Sequence, residues 1–211
     1  MRKQQKSQEK IILFPDGQKS IKLTTKVLGQ GQFGKVMYAH MPKNPDADFA
    51  VKVIEQALIR DKFKELIVNE IELMSEINHQ NVCRLYTATK TPSNYYLVLE
   101  FCNGGDLQDF VTLKGGFLKE PIARAILKQM VFGLAAMAEK KVIHRDFKLA
   151  NILIHFPTLK RVEYMAPGFD LKNFVKNAIV EGSESVSASH PFVPMEIKIA
   201  DMGFAKKLEE D

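Results

Sequence analysis

Cysteine is almost missing from this 211-residue chain, which holds only Cys83 and Cys102. Neither has a metal-ligating neighbour at usable spacing, which argues against a disulfide framework and a zinc site and suits a reducing compartment. No apolar run approaches the length of a membrane span, and the start lacks the apolar core of a signal peptide. Internal repeats are absent. Basic residues outnumber acidic ones, 30 to 25, giving a formal charge of +5 and a pI of about 9.1. Much of that excess sits in "MRKQQKSQEK", and no later stretch interleaves basic with aromatic residues, so nucleic acid is not an expected partner. Residues 1–20 read instead as a basic, disordered tail. With 45% hydrophobic and 26% charged residues, the remainder suits a soluble globular chain of one large domain or two small lobes. A cytoplasmic or nuclear location is the expectation.

Hydrophobic patterning divides the chain. From about Ile21 to Leu99 the segments "LTTKVLGQ", "KVMYAH", "DFAVKVI", "VCRLYTAT" and "YYLVLEF" alternate or run apolar over strand lengths, while "RDKFKELIVNEIELMSEIN" repeats apolar residues at helical spacing. An antiparallel sheet with one inserted helix is expected. After "CNGG" the pattern turns helical, with a short "DLQDFVTLK" and a long "PIARAILKQMVFGLAAMAEKK" that places Pro121 in its first turn. In the long helix Ile122, Ile126 and Met130 mark one stripe and Leu127, Val131 and Leu134 a second, an arc wide enough to expect neighbours on more than one side.

Three short motifs bear on chemistry. "LGQGQFGKV" sets Gly29, Gly31 and Gly34 at G-x-G-x-x-G spacing, where missing Cβ atoms let backbone N–H groups approach a phosphate. An ordinary glycine-rich turn is the plain alternative. A dinucleotide fold would need a helix after the last glycine, but Val36 and Tyr38 alternate as in a strand, so a hairpin over phosphates is the reading. In "FAVKVI", Lys52 sits among Ala50, Val51, Val53 and Ile54, and a lysine in a buried strand needs a partner or a polar cleft. An edge-strand lysine facing water is the alternative. Glu70, 18 residues on, lies beside the apolar stripe of its helix, whereas Glu72 faces solvent. The third stretch, "VIHRDFKLANILI", crowds His144, Arg145, Asp146 and Lys148 between two apolar runs, with Asn151 following.

Joined in order to "KIADMG", this set resembles the eukaryotic protein kinases over about Leu23 to Leu208. The implied fold is α+β and bilobal: an antiparallel-sheet N-lobe with one helix at 21–101, and an incomplete helical C-lobe at 102–211. The resemblance implies ATP and Mg²⁺ as cofactors and protein substrates as partners. It implies that Gly29, Gly31 and Gly34 cover the phosphates and that Lys52, oriented by Glu70, holds the α and β phosphates. Asp201 and Asn151 would bind Mg²⁺, whose preferred ligands are such hard oxygens. Asp146 would take or orient the substrate hydroxyl proton, with Lys148 matching the serine/threonine-specific form of the loop. Leu28, Val36, Ala50, Leu99 and Leu153 would line the adenine pocket, Glu100 and Cys102 would belong to the hinge, and Asp106 would reach the ribose. Arg145 resembles the arginine that binds an activation-segment phosphate.

Departures from the family pattern are also legible. "DMG" replaces D-F-G, with Met202 apolar but more flexible than phenylalanine. Asn151 and Asp201 stand 50 positions apart, so roughly three dozen residues at about 155–196 are inserted where a short hairpin is usual. Within them "DLKNFVKNAIVEG" suggests a helix started by Asp170 and stopped by Gly182, followed by a flexible Ser-rich link. This stretch is read as a tolerated surface insertion, with a docking helix for a partner as the alternative. The ending "IKIADMGFAKKL" resembles the autophagy-initiating kinases. It stops inside what would be an activation segment, so a truncated catalytic portion is expected. A non-catalytic nucleotide-binding or regulatory fragment is the second reading.

Overall fold

The computed structural model describes residues 10–14, 20–31, 34–44, 47–59, 61–178, 180 and 193–209. The chain folds as two compact units, one of residues 1–64 with 85–101, the other of 65–84 with 102–211.

The first unit is a six-stranded antiparallel sheet of β1 (Lys10–Leu13), β2 (Ser20–Gly31), β3 (Gly34–His40), β4 (Asp48–Glu55), β5 (Leu85–Lys90) and β6 (Asn94–Glu100), in the order β1-β2-β3-β4-β6-β5. Strand β1 falls within the stretch expected to be a disordered tail. Its register with β2, Lys10 opposite Leu23 and Ile12 opposite Ile21, buries both isoleucines. The period-2 alternation of strands sets one face of the sheet against a core of Ile12, Ile21, Ala39, Phe49, Val51, Tyr96 and Val98. Residues one step out of phase with these occupy the opposite face. Strand β5 starts at Leu85, later than the apolar run "VCRLYTAT" suggests. Val82 and Cys83 are buried instead in the second unit, where Val82 bridges Ile199 and the Cys83 N–H donates to the Ile199 carbonyl.

Helix α1 (Asp61–Glu76) lies in the second unit from Glu65 onward. Helix α2 (Leu107–Leu113) is capped by Asp106, whose carboxylate accepts from the Asp109 N–H at 2.8 Å. Helix α3 (Glu120–Glu139) carries Pro121 in its first turn. Its Ile122, Ile126, Met130, Gly133 and Met137 stripe is buried, with β9 (Glu196–Ile199) packed against the helix. The second stripe expected from the sequence, Leu127, Val131 and Leu134, is exposed at 55%, 59% and 36%. Among the described residues α3 alone reaches the length and mean hydropathy (20 residues, 1.2) of a membrane-crossing helix, although the sequence suggests no such run; Arg124 and Lys128 fall within it.

Strands β7 (Val142–Ile143) and β8 (Ile152–His155) flank the charged loop, and β8 pairs antiparallel with β9. Strand β10 (Lys206–Lys207) returns to pair with β7. Between β8 and β9 lie α4 (Arg161–Tyr164) and α5 (Leu171–Asn177). Helix α5 begins on an Asp170 cap, as the sequence suggests, but ends at Asn177 rather than near Gly182. Lys114, which follows α2, meets that end: its ammonium donates to the carbonyls of Lys176 at 3.0 Å and Ala178 at 2.8 Å, and burial holds its pKa below the usual lysine value. Phe174 meets Phe156 edge to face at 5.2 Å, and Val175, Ala178 and Val180 are buried. This part of the insertion is therefore core of the unit, and the polar Lys172, Asn173, Lys176 and Asn177 side of α5 is what faces out. The Ser-rich link lies outside the described residues.

Candidate active site

In the first unit, strand register assembles one group of expected site residues. Val36 stands opposite Lys52, Lys52 opposite Leu97, Tyr38 opposite Ala50, and Ala50 opposite Leu99. Directly opposed residues share a face of a sheet, as do residues two apart. Val36, Ala50, Lys52 and Leu99 thus lie together on the face turned away from the Phe49–Val51 core. Gly29 pairs with Val36 and Gly31 with Gly34 at the hairpin end, and Leu28 is 37% exposed beside them. Glu100 closes β6 opposite Phe49.

The three glycines have different reasons to be glycine. A Cβ on Gly34 would lie 1.9 Å from the Val53 carbonyl oxygen, so the close approach of β4 alone forbids a side chain there. Gly29 would meet nothing within 4 Å and Gly31 only the Gly34 oxygen at 3.9 Å. Packing among the described residues therefore accounts for Gly34 and leaves Gly29 and Gly31 as open backbone.

In the second unit, the turn after β7 is fixed by its own side chains. His144, 3% exposed, bonds the Ala200 carbonyl through Nε2 at 2.9 Å. Arg145 adopts a left-handed φ of 62° and donates from Nε to the Phe204 carbonyl at 2.6 Å. Asp146 follows, and its Oδ2 accepts from Lys148 Nζ at 2.7 Å and from Asn151 Nδ2 at 2.9 Å. The Asn151 amide also donates to the Asp146 carbonyl at 2.9 Å. The hydrogen bond from Lys148 does most to hold the Asp146 carboxyl below the usual range. Asn151 and the charges of Lys148 and His144 add to it against an opposing desolvation. The result is a carboxylate fixed in direction and kept ionised.

Asn151 ties this loop to β9, since the Ala200 N–H donates to its carbonyl at 2.9 Å. One residue on, Asp201 is exposed and left-handed at φ 61°, a conformation that costs a non-glycine residue energy and recurs where surroundings over-determine a functional group. Because Asp146 occupies Asn151 Nδ2, the amide offers Oδ1 as its ligand atom. Asn151 and Asp201 both carry oxygen atoms of the hard type that Mg²⁺ prefers. A protein-only cation cage is a different matter: the described residues contain no group of three or more His, Cys, Asp or Glu side chains able to form one.

The remaining expected residues also fall in this unit. Glu70 is 3% exposed on the α1 stripe with Ile67 and Met74, Ile77 just past the helix is buried as well, and Glu72 is exposed. Asp106 and Leu153 meet in an isolated bridge between the start of α2 and β8. Cys102 is half-buried ahead of them. Lys52 belongs to the first unit and Glu70 to the second.

Sequence reasoning passes over several supporting amides. Buried Asn103 accepts from the Phe156 N–H at 2.7 Å and donates to the carbonyls of Phe156 and Leu159, pinning the start of the insertion. Asn81 donates to the Ile197 carbonyl and to Gln129, whose Oε1 also accepts from the Ile197 N–H, so the loop after α1, α3 and β9 share one network. A lone amide in a turn or on a helix carries no periodic signal; only its burial identifies it.

The protein kinase domain family matches residues 23–211. The chain is 35% identical over 127 residues to the serine/threonine-protein kinase ATG1a of Arabidopsis thaliana, covering 60% of this chain and 20% of that protein. It is 30% identical over 187 residues to the serine/threonine-protein kinase unc-51 of Caenorhabditis elegans, 87% of this chain and 18% of that one. Against the human serine/threonine-protein kinase ULK1 it is 30% identical over 185 residues, 88% and 15%. The chain thus spans a fifth or less of the length of these relatives.

Proposed function

The chain belongs to the protein kinase family, and from that premise we propose that it transfers the γ-phosphoryl group of ATP to serine or threonine hydroxyls of protein substrates. The observation that carries the proposal is the Asp146 carboxylate, held by Lys148 at 2.7 Å and Asn151 at 2.9 Å. A carboxylate so fixed accepts a hydroxyl proton along one direction. It orients the attacking oxygen, while the Lys148 ammonium beside it is placed to meet charge developing on the transferring group.

The other roles follow the family pattern. The first unit supplies Gly29 and Gly31 as open backbone for phosphate oxygens and Lys52 as the phosphate-binding cation, with Leu28, Val36, Ala50 and Leu99 as apolar lining. Glu100 and Cys102 serve the hinge, Leu153 the adenine, and Asp106 the ribose. Since Asp106 Oδ1 already caps α2, its second oxygen is the one available to a sugar hydroxyl. In the family pattern Glu70 is the carboxylate that orients the phosphate-binding lysine, and Asn151 and Asp201 would hold Mg²⁺. Bound Mg²⁺ supplies neutralisation of phosphate charge. In this setting Arg145 holds the Phe204 carbonyl and so helps shape the turn that follows Asp201. Any docking partner of the 155–196 insertion would meet the polar Lys172–Lys176 side of α5, and a cytoplasmic location fits the scarcity of cysteine.

Transfer of ³²P from ATP and Mg²⁺ to a generic protein substrate tests the proposal, with Asp146→Asn as control. Transfer that disappears in the variant supports catalysis. ATP binding with no transfer by the unaltered chain would favour the non-catalytic regulatory reading.

A further inference from the structure

Immediately after Asp201 the chain makes a tight turn, closed by the Ala205 N–H donating to the Met202 carbonyl at 2.9 Å. Residues 204–208 are then gripped on one side by the catalytic loop and its strand: Arg145 holds the Phe204 carbonyl, β10 pairs with β7, and the Leu208 N–H donates to the Lys141 carbonyl at 2.8 Å. On another side stands α1. Asn69 Nδ2 donates to the Ala205 carbonyl at 3.0 Å, and the Glu76 carboxylate pairs with Lys207 Nζ at 2.6 Å. Positions 69 and 76 are seven apart, so both lie on one stripe of the helix, two turns from each other. Asn69 directly precedes Glu70, and the residue it holds closes the turn that directly follows Asp201.

We propose that Asn69 and Glu76 form a two-point clamp that fixes the register of α1 against residues 205–207, and that Asn69 is thereby a positioning residue that sets Glu70 and Asp201 relative to each other. Two points determine both the height and the rotation of a helix beside a strand; either alone leaves one of them free. The Asn69 bond carries more of the effect, because Glu76 and Lys207 remain 40% and 49% exposed and exposed ion pairs are weak and salt-screened. The catalytic half of this inference rests on the phosphoryl-transfer reading of Glu70 and Asp201.

The test uses the full chain and two readouts. Asn69→Asp keeps the shape of the side chain but removes its donor. It should speed hydrogen exchange at the Ala205 and Leu208 amides and raise the Mg²⁺ concentration for half-maximal transfer about five-fold, the size of one ordinary hydrogen bond. Glu76→Lys should do the same to a smaller degree, and Glu76→Lys with Lys207→Glu should restore both readouts. A thermal midpoint that falls while exchange and Mg²⁺ dependence stay at their original values would overturn the clamp, as would failure of the charge swap to recover them. Absence of transfer from the unaltered chain would defeat the kinase reading and the catalytic half of the inference with it. The exchange result decides the clamp in either case.

Discussion

The two units present their site residues by different physical means. On the sheet, Val36, Ala50, Lys52 and Leu99 share a face because antiparallel register puts them there, and Gly29 and Gly31 leave the space beside their Cα atoms open. In the second unit Asp146 is held by two side chains, while His144, Arg145 and Asn151 bind the backbone on either side of Asp201. One site is made by leaving atoms out, the other by wiring atoms together. Substitutions should therefore hurt for opposite reasons: an added atom damages the first, a removed donor the second.

The largest effect is expected from Asp146→Asn, which keeps an oxygen acceptor toward Lys148 and Asn151 but cannot take a proton. Transfer should fall by about 10²–10⁴ with the thermal midpoint almost unchanged, as phosphotransfer assays and calorimetry would show. Gly34→Ala comes next. With the Val53 oxygen only 1.9 Å from the new Cβ, β3 and β4 must separate, at about 1–3 kcal/mol in urea unfolding. Gly29→Ala sharpens the contrast, since nothing stands within 4 Å of its Cβ. Stability should stay within about 0.5 kcal/mol while the KM for ATP rises; equal losses at the two glycines would erase the distinction between packing and ligand access.

A pH profile probes the wired side. The lowered pKa of Asp146 means that its partners stabilise the ionised form. That contribution is present above the ordinary carboxylate value of about 3.9 and is lost as pH falls through the lowered one. Lys148→Met removes the largest cause, so the acid limb of the rate profile should move to higher pH; a limb that stays in place would show that Asp146 is not the group it reports. The smallest effect belongs to Lys114→Met. Loss of two carbonyl partners at the end of α5 should destabilise by about 1 kcal/mol, with faster amide exchange confined to residues 171–178.

Much of this protein is legible in its residue order because periodicity is a local property. Alternation of period two in "FAVKVI" already separates Lys52 and Ala50 from Phe49 and Val51, and the helical stripe of α1 already puts Glu70 with Met74 and Ile77 and Glu72 outside. The motif set around Asp146, Asn151 and Asp201 is likewise ordered along the chain, so its resemblance to the kinase family was legible before the comparison with known domains showed the family. Hydrogen bonds between distant positions are not periodic. Nothing near Asn69 in sequence points to Ala205, 136 residues away, nor anything near Asn103 to Phe156, 53 away. The same holds for Gly34, where the neighbouring strand leaves no room for a Cβ, and for Lys10–Leu13, which pairs as a strand with Ser20–Leu23. Strand and helix patterns, with the chemistry-bearing residues in order, were determined by sequence alone. Tertiary structure decided which backbone each polar side chain satisfies and where a Cβ has no room, because those depend on which distant atoms meet in space.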